Sequence, residues 1–353
     1  MSAETIPSLS PSERRAILAL SLVADIGPVT HRQLLERFRS ASRALDVALE
    51  AGVALRAYSN ADDLLSRAAT AELELMTVGD AHYPPHLLHL HDPPPVLWSR
   101  GDWATLSEPV VAIVGTRRAT SYGQRATREM AGALARQGAC IVSGMALGID
   151  AHAHRSALDA GGRTVAVLGT GADLSYPRAH SALHREIAQR GLLLSELPPG
   201  AKSDPGSFPR RNRIIAALAR LTIVVEAPEL SGALITSKSA LELGRDVAAV
   251  PGTIDSPQSV GSNRLLRDGA HVITSVEDAL SLIGLNPPVR LEPELRGDAE
   301  LRVWRALERG GSSLDELCTR TAMPVAECLT AVTSLELRGI VECALTGEVR
   351  RRQ

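Results

Sequence analysis

The sequence predicts an α/β fold whose core is a parallel sheet with helices on both faces. Between residues 109 and 285, short β-branched runs alternate with segments of helical periodicity, and this alternation is typical of a parallel sheet. Residues 11–80 instead contain only short helical patterns, and residues 298–350 show three helices followed by a hairpin. Since 353 residues exceed what one hydrophobic core usually serves, we expect separate N-terminal and C-terminal domains.

Residues 1–80 are predicted to form a small helical domain. Helical patterns at Arg14–Val23 and His31–Phe38 flank a turn at Ile26–Thr30, which is the outline of a SAM-like or helix-hairpin-helix unit. Such units often contact the DNA backbone, although short motif matches of this kind more often belong to a simple packing module.

Residues 81–108 are predicted to be a proline-rich connector. The segments Tyr83–His86 and Asp92–Trp98 hold most of its prolines, and prolines at this density exclude a long helix. The connector also carries four histidines, His82, His86, His89 and His91. Because no helical face aligns them and no cysteine assists, we predict no metal site here.

Seven strands are expected in the domain 109–285. They are Val110–Val114, Cys140–Ser143, Thr164–Leu168, Leu192–Ser195, Thr222–Glu226, Val247–Val250 and His271–Thr274. The intervening helices are predicted near 123–137, 151–160, 179–189, 209–219, 233–243, 262–268 and 276–283. Ligands of such sheets bind outside the carboxyl ends of the strands, so the residues that follow each strand are the candidate site.

Two of these strand ends carry anion-binding chemistry. After the first strand, Arg117 and Arg118 stand where a phosphate would arrive, in a turn that lacks the dinucleotide fingerprint. After the fifth strand, Ser231 and Gly232 precede a helix and offer a cradle of backbone N–H groups. No nucleophile paired with a base is apparent, so we predict phosphate binding without catalysis and without a cofactor.

The segment Ser207–Ala216 is the most informative stretch of the chain. Phe208 precedes Arg210, Arg211 and Arg213, and an aromatic ring beside cations is what sequence-tolerant single-strand binding requires. Since the formal net charge is −2, any nucleic-acid site must be a local patch, and Lys202 extends this one. The alternatives are a solvated basic helix face and a Phe208 ring that packs in the core.

Metal and disulfide chemistry are not expected. Asp150, His152 and His154 suggest a metal hydrolase, but helix positions two apart point to different faces, and Asp150 also suits a helix cap. The four cysteines form no Cys-x-x-Cys pair. No apolar run is long enough to span a membrane, so we expect a soluble, cytoplasmic protein.

Residues 286–297 are predicted to be a linker, and residues 298–353 a winged-helix domain. Its helices are expected at Ala299–Glu308, Leu314–Arg320 and Pro324–Arg338, before a hairpin that turns at Thr346 and Gly347. The third helix carries Glu327 and Glu336 and only one arginine, Arg338, so it suits major-groove reading poorly. We therefore expect this domain to contact protein, although the tail arginines 350–352 suit a phosphate contact.

The chain resembles the DNA-processing protein A (DprA/Smf) family. The resemblance rests on the blocks Val111–Arg117, Ser143–His154, Val165–Gly171, Phe208–Ala216, Ser231–Thr236 and Val250–Gly252, which occur in family order. It implies an extended Rossmann-like fold that forms a homodimer and binds single-stranded DNA in a basic pocket. It also implies loading of the RecA recombinase onto that strand during natural transformation, with no catalytic activity.

The resemblance also implies particular DNA-binding residues. They are Arg117, Ser143, Gly144, Lys202, Phe208, Arg211, Asn212 and Arg213, to which the strand-end and charge patterns add Arg210, Ser231 and Gly232. The alternative is a nucleotide-processing enzyme similar to a phosphoribohydrolase, with Glu226 or Glu229 as its acid. The glycine-rich loop of such enzymes is replaced here by Ala227–Ala233.

Overall fold

A computed structural model describes residues 9–24, 26–50, 52, 56–285, 294–344 and 347–351. The chain divides into two compact units, residues 1–287 and 288–353. The first unit contains the helical N-terminal module and the sheet, and the second contains the C-terminal domain.

The N-terminal module consists of four helices: α1 (Pro11–Ser21), α2 (Pro28–Phe38), α3 (Ala41–Glu50) and α4 (Ala57–Thr70). Helix α1 begins after Ser10, whose hydroxyl accepts a hydrogen bond from the backbone N–H of Glu13. Its buried residues Ile17 and Leu18 belong to one apolar cluster with Trp98 of the sheet. The module therefore shares its hydrophobic core with one edge of the sheet.

The sheet of the first unit has nine strands. They are β1 (Glu74–Thr77), β2 (Val96–Gly101), β3 (Val110–Val114), β4 (Cys140–Ser143), β5 (Arg163–Val167), β6 (Leu192–Ser195), β7 (Leu221–Val224), β8 (Asp246–Ala249) and β9 (His271–Val272). Their order is β1-β2-β6-β5-β4-β3-β7-β8-β9. All pairs from β6 to β9 are parallel, as predicted, whereas β2 pairs antiparallel with both β1 and β6.

The interval 81–108 differs from the predicted connector because it contains β2, which lies inside the sheet. Its prolines precede the strand, where no donor to the ladder is needed, and Leu97 and Trp98 are fully buried. Strand β1 likewise lies before residue 80, within the interval predicted to be helical. The sheet therefore begins about 35 residues earlier in the chain than the alternating pattern indicates.

Seven helices cover the sheet: α5 (Ser121–Arg136), α6 (Ile149–Asp159), α7 (Ser181–Arg190), α8 (Ser207–Leu218), α9 (Gly232–Glu242), α10 (Val260–Arg267) and α11 (Val276–Leu282). Alternate residues of β3 face opposite ways, as a pleated strand requires. Val111 and Ile113 pack with Leu134 of α5, while Val110 and Val114 pack with α8 on the other face.

The chain reverses its direction across the sheet at β3. It runs from β3 through β4 and β5 to β6, then returns to β7 on the other side of β3 and continues to β8 and β9. A crevice forms at such a switch point, outside the carboxyl ends of the two diverging strands. The loops after β3 and β7 are therefore expected to bound the ligand site.

The second unit has the helices α12 (Asp298–Ala306), α13 (Leu314–Thr321) and α14 (Val325–Leu337) and the strands β10 (Ser312–Ser313), β11 (Val341–Cys343) and β12 (Glu348–Arg351). The strands form an antiparallel sheet in the order β10-β12-β11, which confirms the predicted winged helix.

The tail arginines of this unit are engaged within it. Arg350 pairs with Glu342, and the Arg351 guanidinium lies 3.9 Å from the centre of the Trp304 ring. Arg352, Thr346 and most of the predicted linker lie outside the described residues. Neither of the two tail arginines that the structure describes, Arg350 and Arg351, is therefore free to make the phosphate contact considered for this tail.

None of the helices in the described part of the chain combines the length and the apolar character needed to cross a bilayer.

Candidate nucleic-acid interface

A cavity of about 370 Å³ opens at the switch point between the loops that follow β3 and β7. Its lining includes the predicted site residues Arg117, Phe208, Arg211, Asn212, Ser231 and Gly232, together with Arg118. A smaller cavity of about 70 Å³ shares Arg117, Phe208 and Arg211 with it and adds Gly144 and Tyr176. The structure thus brings together seven of the eleven predicted positions.

An aromatic ring and a guanidinium meet at this cavity. The Arg117 guanidinium carbon lies 5.3 Å from the centre of the Phe208 ring, and the Tyr176 ring centre lies 5.6 Å from that of Phe208. Phe208 is half-buried rather than part of the core, and Arg117 is exposed. Arg117 has no ion-pair partner among the residues described, so its charge is available to a ligand.

Arg211 forms the floor of the site and is only 6% exposed. Its Nη1 donates to the carbonyl oxygens of Gly144, at 2.6 Å, and Val167, at 2.5 Å. Its Nε donates to Oδ1 of Asn212. Burial lowers the pKa of Arg211 to about 10, which still leaves it charged at neutral pH. Arg211 therefore holds the site together rather than offering its charge freely to a ligand.

Asp150 holds the same loop from the other side. Its Oδ2 accepts hydrogen bonds from the N–H groups of Gly144, at 3.2 Å, and Ala146, at 3.3 Å. Burial raises its pKa, while the Arg211 charge acts in the opposite direction. Asp150 does not cap its helix, because Gly148 occupies the N-cap of α6. A side chain at Gly144 would overlap the Arg211 guanidinium, which explains the glycine there.

The opposite wall is formed by the start of α9. Ser231 is the N-cap, and its hydroxyl accepts a hydrogen bond from the N–H of Ala233 at 3.3 Å. Asn212 donates from Nδ2 to the carbonyl of Gly232 at 3.1 Å, which ties α8 to α9. The positive end of the α9 dipole therefore adjoins the cavity and favours an anion there.

Two predicted site residues are not available to a ligand. Ser143 is fully buried, and its hydroxyl donates to the carbonyl of Ile113 at 2.6 Å, where it fixes β4 against β3. The Arg213 side chain is 12% exposed and pairs with Glu196 at 2.6 Å and with Asp92 at 3.2 Å. The sequence placed Arg213 in one basic patch with Arg210 and Arg211, but each step along a helix turns a side chain by about 100°, so Arg213 points away.

Lys202 and Arg210 lie outside the cavity but on the surface. Lys202 is exposed on the loop before α8 and has no ion-pair partner among the residues described. Arg210 is also exposed and forms a 3.0 Å ion pair with Asp204. Both remain accessible to a phosphate that approaches the site, although the structure does not place them in its lining.

His154, in the helix after β4, has a structural environment. His154 is fully buried, and its Nδ1–H donates to Oγ1 of Thr164 at 2.7 Å, because that hydroxyl itself donates to Ile141. Burial lowers the pKa of His154 to about 3. Across the described ranges, no group of three or more His, Cys, Asp or Glu residues is placed to hold a metal ion.

The residue patterns of the sequence did not single out Tyr176. Tyr176 is 46% exposed, and its partner Phe208 lies 32 residues away in the chain. The available signal was the scarcity of aromatic residues, which are 3% of the chain, combined with the position of this one after a strand.

Fold and site together define a doubly wound α/β protein with a cationic, aromatic-lined cleft at its topological switch point. The family model for DNA recombination-mediator protein A matches residues 74–284. The models for the DprA winged helix domain and the DprA-like N-terminal HHH domain match residues 286–344 and 11–74. The chain belongs to the DNA recombination-mediator protein A family, which confirms the resemblance seen in its motifs.

Individual relatives agree with this assignment. Protein Smf of Synechocystis sp. is 34% identical to this chain over 94% of its length and 97% of the relative's. The X-ray structure of DNA processing protein A from Streptococcus pneumoniae superposes with a TM-score of 0.68 at 34% identity, over 78% of this chain and 98% of that one. DNA processing protein A from Helicobacter pylori, whose structure is described for its single-stranded DNA binding mode, gives 0.55 at 34% identity, over 60% and 94%.

Proposed function

We propose that this chain is a cytoplasmic, non-enzymatic protein that binds single-stranded DNA in the cavity at the switch point. The observation that carries the proposal is the exposed Arg117 guanidinium beside the half-buried Phe208 ring, which lines the cavity. An unpaired strand offers bases for stacking and phosphates for neutralisation at the same place.

The lining residues suit different parts of such a strand. Phe208 and Tyr176 present ring faces to bases, and Arg117 and Arg118 present charges to phosphates. Since every base has a π-face, binding by stacking tolerates any sequence. Lys202 and Arg210 would contribute longer-range attraction from the loop outside the cavity.

The enzyme alternative is less well supported by the geometry. Glu226, one of the two acids that it could use, is buried and accepts hydrogen bonds from the N–H and the hydroxyl of Thr120, at 2.9 and 2.5 Å. The other, Glu229, is absent from the lining of the cavity. The Glu226 carboxylate also fills the space that a side chain at Gly123 would need. Glu226 thus holds the start of α5, and we favour binding over turnover.

The test compares Arg117→Ala and Phe208→Ala with Arg136→Ala, an exposed arginine at the far end of α5. Loss of a stacked ring should cost about 1–3 kcal/mol of binding free energy, whereas loss of Arg117 should lower the salt dependence by about one phosphate contact. Arg136→Ala should bind like the wild type. If the protein fails to bind oligonucleotides at low salt and instead releases free base from nucleoside monophosphates, the proposal fails.

We further propose, from the family resemblance, that the chain loads the RecA recombinase in natural transformation and acts as a homodimer. Exposed Ile235 and Leu241 on α9 support a contact between copies on that helix. Sedimentation of the wild type and of Leu241→Asp tests the dimer, and RecA filament growth on the bound strand tests loading. A monomeric wild type, or filament growth unchanged by the protein, would contradict these two proposals.

A further inference from the structure

Two aromatic side chains of this protein are strongly exposed. The chain has two phenylalanines, four tyrosines and three tryptophans, all within the described residues, and only Tyr122 and Tyr176 are exposed, by 42% and 46%. Tyr176 belongs to the cavity beside Phe208. Tyr122 is absent from the lining of both cavities, so the site described above does not account for it.

Tyr122 is held in place with its ring accessible. It is the second residue of α5, and its hydroxyl donates to the carbonyl of Pro251, just after β8, at 2.9 Å. The hydroxyl is therefore occupied, while the ring stays accessible to solvent. The Arg125 guanidinium carbon lies 6.0 Å from the ring centre, as expected for helix positions three apart.

The pair Tyr122 and Arg125 repeats the combination of an aromatic ring and a guanidinium found in the cavity. Arg125 is exposed and forms no ion pair within the described part of the chain, as is true of Arg117. In both places an accessible ring lies beside an uncompensated guanidinium. A tyrosine that only tied α5 to the β8 loop would not require an unpaired cation next to its ring.

The two pairs are connected along one edge of the sheet. Tyr176 follows β5, Arg117 follows β3, and Tyr122 contacts the loop after β8, all at the carboxyl ends of the strands. Four inter-strand steps separate β5 from β8, a span of about 19 Å. Arg118 lines the cavity and precedes Tyr122 by four residues in the chain.

We propose that a single strand leaving the cavity continues over Arg118 to a second binding site formed by Tyr122 and Arg125. The ring face takes one further base by stacking, and the guanidinium takes the adjoining phosphate. Because the tyrosine hydroxyl already donates its hydrogen bond to the carbonyl of Pro251, it has no free donor for base edges. Stacking on the ring tolerates any base, so this site does not discriminate between sequences. The inference rests on the proposed function, whose pocket it extends.

The experiment measures the affinity of a thymidine trinucleotide, which fits the cavity alone, and of a thymidine dodecamer, which covers the whole rim. Tyr122→Ala should weaken the dodecamer by about five-fold or more and leave the trinucleotide unchanged. Tyr122→Phe, which keeps the ring and loses the hydroxyl, should bind the dodecamer like the wild type. Arg125→Ala should lower the salt slope for the dodecamer, with Arg136→Ala as the control on the same helix.

The outcomes separate this inference from the proposed function. If Phe208→Ala weakens both oligonucleotides while Tyr122→Ala binds the dodecamer like the wild type, the second site does not exist and the cavity stands. Equal weakening of both lengths by Tyr122→Ala, with a lower melting temperature, would assign the tyrosine a purely structural role and overturn the inference. A wild type that binds neither oligonucleotide would overturn the proposed function itself.

Discussion

Replacing Arg211 by methionine keeps a long side chain on the floor of the site and removes its charge. The carbonyls of Gly144 and Val167 then lose their donor, and the buried Asp150 loses the nearby positive charge that favours its ionised form. Removal of one partner of a buried charge pair costs about 3–5 kcal/mol. Because Asp150 and Arg211 interact without a direct ion pair, we expect a loss near the lower value at neutral pH.

The pH dependence identifies the cause of this loss. Burial already raises the pKa of Asp150, and loss of Arg211 raises it further. A carboxyl whose pKa is higher in the folded than in the unfolded chain lowers the stability as the pH rises above the unfolded value, and acidification restores that stability. The deficit of Arg211→Met relative to the wild type should therefore be larger at pH 8 than at pH 5.

Urea unfolding at both pH values measures this difference. The matched control is the double variant Asp150→Asn, Arg211→Met, which has no carboxyl to titrate and whose deficit relative to Asp150→Asn should be the same at the two pH values. If the deficit of the single variant is also the same at pH 8 and pH 5, then lost packing explains it, and the electrostatic account of the floor is refuted.

Three further predictions follow from the described contacts. Arg213→Met should cost about 3 kcal/mol of stability, because it leaves the buried Glu196 without its paired arginine, which opposes the rise in the pKa of Glu196 that burial causes. An unchanged melting temperature with weaker DNA binding would contradict this prediction. Lys202→Ala should do the reverse, weakening binding to all sequences without altering the melting temperature. The wild type should lose about 2 kcal/mol of stability between pH 7.5 and pH 5, because the depressed pKa of His154 makes the folded chain less stable as the pH falls below the unfolded value. In His154→Gln this loss should be absent. Parallel pH profiles for variant and wild type would count against this.

The parallel part of the sheet could be predicted from the sequence because its strands are buried on both faces. Buried β-branched runs such as Val110–Val114 are visible without knowledge of their partners. Strand β2 was not found because the prolines before it indicate a loop, and its pairing with β6 depends on residues about 95 positions away. Local patterns show which residues prefer an extended backbone, but not which strand they pair with.

The candidate site was predictable where one strand end determines the position of a side chain. Arg117, Ser231 and Gly232 belong to the loops after their strands, or to the helix start that follows, and lie in the cavity. The prediction was less accurate for Arg210 and Arg213, because neighbouring residues on a helix face different surroundings. Tyr176 and Tyr122 could be singled out only by the scarcity of aromatic residues in the chain, since their importance depends on what lies beside them in the fold.

The shared core of the helical module and the sheet limits how far the chain can be shortened. Trp98 of β2 packs with Ile17 and Leu18 of α1, and Arg67 of α4 donates to the carbonyl of Pro199, in the loop that leads to Lys202. A fragment that starts at residue 81 would expose the indole to water and release this loop from its anchor. We therefore expect a fragment without the N-terminal helices to be less stable than the whole first unit and to hold the Lys202 loop less firmly.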